Sequence, residues 1–111
     1  MVQRILYMKE INQLDINNKR TGYWEQYYDS GELWSKGNYL NDERTGCWVY
    51  LHDNGQLWSK SNYINGKRNG YSEYYYHDGN LTYKGYYLND KQTGCWEHYY
   101  NNKLILKEFN I

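Results

Sequence analysis

What the chain lacks narrows its options first. Its acidic and basic residues cancel, so no bulk charge draws it to duplex nucleic acid or to an anionic membrane. No stretch approaches the roughly 20 apolar residues of a membrane-spanning helix. The opening segment MVQRILYMKEINQL breaks its apolar residues with Gln, Arg, Lys and Glu, unlike a secretory leader. A soluble, cytoplasmic protein is expected, in the host cytoplasm if the source is viral.

Cysteine is scarce too. Cys47 and Cys95 occupy one position of a repeat, two repeats apart. With two strands per repeat that is about 19 Å at ~4.8 Å per strand, whereas a disulfide needs Cα atoms within ~7 Å. Free thiols are expected. Proline and alanine are absent and phenylalanine occurs once, yet there are 16 tyrosines and 5 tryptophans. That aromatic content argues against disorder despite the strongly negative mean hydropathy. Tyrosine supplies the burial, each ring covering ~150 to 250 Å² while its hydroxyl stays at a wet edge.

What is present is a period. Gly22, Gly46, Gly70 and Gly94 stand 24 residues apart, each opening a copy of one phrase that begins GYWEQYYDSGELWSKGNYL in its first occurrence. Such a period marks a repeat architecture. The units are an N-terminal cap with a degenerate half repeat (1–21), three full repeats (22–45, 46–69, 70–93) and a truncated closing repeat (94–111). Residues 1–14 admit a short helix through Ile5, Met8 and Ile11, or an edge strand; the strand is preferred because arrays need atypical end units.

Within a repeat, alternation predicts a strand after the leading glycine. Asp29-Ser30-Gly31, Asp53-Asn54-Gly55 and His77-Asp78-Gly79 then predict tight turns, and a second strand runs into a looser polar turn at 41–45, 65–69 and 89–93. The fold class expected is all-β: a single elongated, twisted antiparallel sheet, a meander of β-hairpins built from ~24-residue repeats.

The phrase G-x-W-x-x-Y-Y-x-x-G-x-L, followed by G-x-Y-x-N-G-K-x-x-G, resembles the MORN repeat (membrane occupation and recognition nexus), in the shorter variant found in bacterial and viral proteins, some of them antitoxins. The resemblance covers residues 16–111. It implies an elongated sheet, often with an aromatic groove, that serves as a protein-interaction or assembly module; phospholipid binding is an older proposal for the family. Ser72 in place of Trp and Lys103 in place of Gly depart from the pattern.

Catalysis is not expected. A repeat sheet lines up like groups, and the column Glu25, Glu73 and Glu97 places carboxylates on adjacent repeats roughly 10 Å apart, beyond the spacing of glycosidase pairs. His52, His77 and His98 fall in different columns, so no metal site is expected, nor any cofactor. The candidate binding residues are the ring columns Trp24, Trp48, Tyr50, Tyr74, Trp96, Trp34 and Trp58 and the lysine column Lys36, Lys60 and Lys84. Exposed aromatic surface marks binding sites. A noncatalytic protein-binding module acting through an aromatic face or sheet edge, with homodimerisation left open, is the first expectation. The alternative is a small-ligand binder or sponge for a nucleotide signal, rings stacking on the base and lysine meeting phosphate. Phospholipid binding comes third.

Overall fold

The computed structural model describes residues 11–110. Nine strands follow one another: β1 (Gln13–Leu14), β2 (Arg20–Tyr27), β3 (Leu33–Leu40), β4 (Glu43–Leu51), β5 (Leu57–Ile64), β6 (Lys67–Tyr75), β7 (Leu81–Leu88), β8 (Lys91–Tyr100) and β9 (Lys103–Asn110). Every strand pairs antiparallel with its sequence neighbours, giving one open sheet in the order β1 to β9. The protein is thus the hairpin meander that the period implies, 50 × 30 × 21 Å in extent. Among the described residues no helix is long and apolar enough to cross a membrane. The choice between helix and strand for residues 1–10 lies outside the described residues.

The turns are the reverse of the expectation. The stretches taken as loose polar turns are the tighter ones, two residues long: Leu40 pairs with Glu43 across Asn41 and Asp42, both at positive φ (51° and 66°). Asn65-Gly66, Asn89-Asp90 and Asn101-Asn102 repeat this geometry. Two central residues with φ > 0 match the right-handed twist of the flanking strands, and Asn, Asp and Gly tolerate that region best. The Asp-Ser-Gly type turns are three-residue loops instead, Tyr28 N–H donating to Glu32 O at 2.8 Å and Gly31 N–H to Tyr28 O at 2.9 Å.

The leading glycines therefore do not open strands. Gly46 lies three residues inside β4 at φ 70°, where Gly46, Cys47 and Trp48 face Gly37 alone between the pairs Lys36↔Val49 and Asn38↔Thr45. That irregularity tips Trp48 across the neighbouring strand.

One face carries almost all the burial, and among the described residues no second layer covers it. Trp48 and Trp96 are fully buried because each indole lies over a glycine: a Cβ on Gly37 would sit 2.3 Å from Trp48 Cδ2, and one on Gly85 would sit 2.3 Å from Trp96 Cδ2. Their Nε1–H groups donate to the carbonyls of Asn38 (2.9 Å) and Tyr86 (3.0 Å). Tyr39 and Tyr87 close edge-on against them at 4.9 Å between centroids. The ring face is its own core. In the middle repeat the pair changes on both sides at once, with Ser61 opposite Ser72. Tyr74 and Tyr87 meet through their hydroxyls at 3.1 Å and so span the level of Ser72.

Candidate functional site

Strand alternation alone would put Trp34 and Trp58 on the face opposite Tyr50, but β-bulges intervene. Gln26 pairs with Ser35 and Tyr27 with Leu33, leaving Trp34 without a partner; Tyr50 pairs with Ser59 and Leu51 with Leu57, leaving Trp58 likewise. An extra residue re-aims its side chain. Trp34 packs edge-on to Tyr50 at 5.8 Å, and Trp58 stacks on His52 at 5.2 Å. Together Trp34, Tyr50, Trp58, Ser59, Tyr74 and Tyr83 line an open cleft of about 310 Å³ on the ring face.

The structure thus divides the sequence-derived set. Trp34, Tyr50, Trp58 and Tyr74 converge on the cleft, with Trp58 44% exposed. Trp48 and Trp96 have no exposed surface and serve packing. Trp24 is partly buried against Tyr39, its Nε1–H donating to Gln13 O at 3.1 Å, which ties β1 to the array.

Lys36, Lys60 and Lys84 lie on the other face. In register they alternate with the column Glu25, Val49, Glu73 and Glu97, and Lys84 Nζ lies 3.7 Å from Glu97. The reason is parity: the lysines follow the bulge residue by two positions and keep the alternation that the bulge interrupts before them. The lysine column therefore does not border the tryptophans of the cleft; on the other face Lys84 Nζ lies 5.7 Å from the Tyr99 ring centroid.

On that same opposite face the carboxylates are held by tyrosines on their own strands. Glu25 accepts from Tyr23 (2.9 Å) and Tyr27 (2.7 Å), and Glu73 from Tyr71 (3.1 Å). Partial burial, then the hydrogen bond to Glu25, pushes the Tyr23 hydroxyl up to about 12; burial and Glu73 do the same to Tyr75, up to about 12, and raise Tyr71.

Sequence reasoning missed three features. His52 and His77, placed in separate columns by the repeat, stack at 4.1 Å because the Asp-Asn-Gly and His-Asp-Gly loops are neighbours across the meander. His52 Nε2 also meets Tyr75 O at 2.8 Å, and Tyr28 donates to Leu51 O at 2.6 Å, so the first hairpin is pinned to the second and the second to the third. The third is a row of arginines, Arg20, Arg44 and Arg68, laid over the tyrosines of the ring face; their shared repeat position was a signal in the sequence. Cys47 and Cys95 are free thiols, as the spacing requires.

Fold and face together define a single-sheet β-hairpin repeat protein whose ring-bearing face is both core and surface. Three consecutive stretches, residues 20–41, 44–65 and 68–89, match the MORN repeat variant, one hairpin each (β2–β3, β4–β5, β6–β7). They span more than half of the chain, which belongs to this family. None of the curated proteins matches the sequence well enough to count as a relative. MORN repeats are generally associated with binding, to proteins or to membranes.

Proposed function

We propose that the chain is a noncatalytic binding module that captures a protein segment on its ring face. The observation that carries this reading is the contrast within one face: Trp48 and Trp96 are fully buried, while Trp34, Tyr50, Trp58, Tyr74 and Tyr83 leave an open cleft with Trp58 44% exposed. Exposed aromatic walls with hydroxyl edges supply large contact area at low ordering cost, which is what interface anchors need. An antitoxin-like role, in which the captured segment belongs to a toxin, is the form of this reading that the family resemblance favours.

The test is capture with paired variants. Wild-type protein, Trp58→Ala and Lys60→Ala are cross-linked to proteins of the cell that makes the chain, and bound segments are mapped by mass spectrometry. A partner held by wild type and Lys60→Ala but lost with Trp58→Ala supports the reading. Capture indifferent to Trp58, or no capture at all, refutes it.

A second reading is favoured by β9, whose Leu104, Ile105, Leu106 and Phe109 are exposed on the last described strand. An edge of that kind, unpaired among the described residues, templates an added strand, from a partner or from a second copy. Sedimentation of wild type and Leu106→Lys over a range of concentrations separates the two occupants. The nucleotide reading has less support, because the lysines it requires stand on the face opposite the tryptophans and tyrosines of the cleft.

A further inference from the structure

Arg20, Arg44 and Arg68 hold one station in successive repeats. Each guanidinium lies over a tyrosine of the ring face, 4.2 Å from the Tyr39 centroid, 5.3 Å from that of Tyr63 and 4.1 Å from that of Tyr87, respectively. Two of the three are neutralised within the chain. Arg20 Nε–H donates to Asp42 at 2.9 Å and Arg68 Nε–H to Asp90 at 2.9 Å. The same carboxylate oxygens accept the backbone N–H of Arg20 (2.7 Å) and Arg68 (2.8 Å). These bonds hold both aspartates below the usual carboxylate range.

The middle repeat breaks the pattern. In the place of Asp42 and Asp90 it has Gly66, and no carboxylate pairs with Arg44 among the described residues. Glu43 is the neighbouring acid, but its Oε2 lies over Gly66, 3.2 Å from where a Cβ would stand, and strand alternation directs it away from the ring face. Arg44 is partly buried, with its guanidinium 5.6 Å from the Trp48 ring centroid and 5.8 Å from that of Tyr50. Tyr50 is also a wall of the open cleft. The middle repeat thus holds, among the described residues, a cation without a carboxylate at the turn end of β4, and Tyr50 alone separates it from a hollow of about 310 Å³ lined by rings.

We infer that Arg44 receives a carboxylate of the bound segment while the cleft beyond Tyr50 takes an apolar or aromatic side chain adjacent to it. The inference rests on the ring face being the protein-binding surface, and it names the partner's chemistry: an acidic segment with an aromatic or aliphatic neighbour to the acid. A monoanion fits better than a phosphate. Arg20 and Arg68 are already paired, and the three lysines of the repeat column lie on the other face, so among the described residues of the arginine row and the lysine column Arg44 alone offers its charge to the ring face. A charge-assisted hydrogen bond formed against ring walls is also less screened than one on an open surface.

The probes are 3-phenylpropionate, its neutral amide, and phenyl phosphate, titrated into the full chain while the arginine Nε–H and tryptophan indole resonances are followed by NMR. Expected is a shift at Arg44 and Trp58 with 3-phenylpropionate, and binding about tenfold weaker for the amide and for Arg44→Gln with the acid. Arg20→Gln, one repeat away and paired with Asp42 in the wild type, binds like wild type. Equal binding of acid and amide, unchanged affinity in Arg44→Gln, or no saturable shift overturns the inference, and tighter binding of phenyl phosphate overturns the carboxylate assignment. The two readings fail separately: a captured partner that depends on Trp58 but not on Arg44 leaves the ring face as the binding surface and removes Arg44 from it.

Discussion

The packing unit at residue scale is an indole over a missing Cβ. Gly37 with Trp48 and Gly85 with Trp96 are two copies of it, and Ser61 with Ser72 is the version in which both halves have changed. Trp introduced alone at position 72 would meet the Ser61 side chain where Trp48 meets only hydrogen. Ser72→Trp is therefore expected to lose about 1 to 3 kcal/mol in urea unfolding, and Ser61→Gly with Ser72→Trp to recover most of that, a coupling of similar size. The sequence displayed the exchange at Ser72 openly. It did not display the reason, because Ser61 sits eleven residues earlier in another repeat unit and only the register brings the two together. The arginines teach the same lesson: their period was visible, but that Gly66 leaves Arg44 unpaired depends on turn geometry that brings residue 42 back to residue 20.

Hairpins are the next scale, where one face is rings over glycines and the other is tyrosine hydroxyls on glutamate. The second arrangement makes stability depend on pH at the alkaline end. Tyr23 and Tyr75 ionise at about 12 in the folded chain, and Tyr71 is raised as well, against ~10 when unfolded. The fold favours their neutral forms, so their contribution is complete below the unfolded value and is lost as pH rises from ~10 through the folded value. Thermal melts across that window should show a falling midpoint. Glu73→Gln, which removes a charged acceptor, should bring the tyrosinate absorbance of Tyr71 and Tyr75 to lower pH. Strand order and the existence of every hairpin were legible from the period, since each phrase contains two alternating stretches and two turn signals. Which turn was tight was not, because consecutive Asn and Asp at positive φ look like any polar loop. The bulges at Trp34 and Trp58 were hidden as well, and they decide the face on which the candidate site lies.

The whole molecule is a one-dimensional array, each hairpin touching only its neighbours, so its stability is a sum over units and the interfaces between them. Excising whole repeats tests this. Removing residues 46–69 sets Gly37 opposite Ser72, which leaves a hollow, and gives Arg44 the partner Asp90. Removing 70–93 sets Ser61 opposite Trp96, where a side chain stands in the indole's place, and takes Asp90 away from Arg68. Both deletions shorten the sheet equally. The first should melt cooperatively at a modestly lower temperature by circular dichroism, and the second should be distinctly less stable, by about 1 to 3 kcal/mol beyond the first.

That contrast follows from where the indole and its glycine lie. Gly37 lies in one 24-residue unit and Trp48 in the next, so the segment that repeats is not the segment that packs. A gain or loss of a unit would splice the indole of one copy to the glycine of another, and its cost in stability would depend on how well the two ends match. The paired serines are a seam of this kind: a splice that leaves a hollow there is tolerated, while one that sets a side chain in the indole's place is resisted.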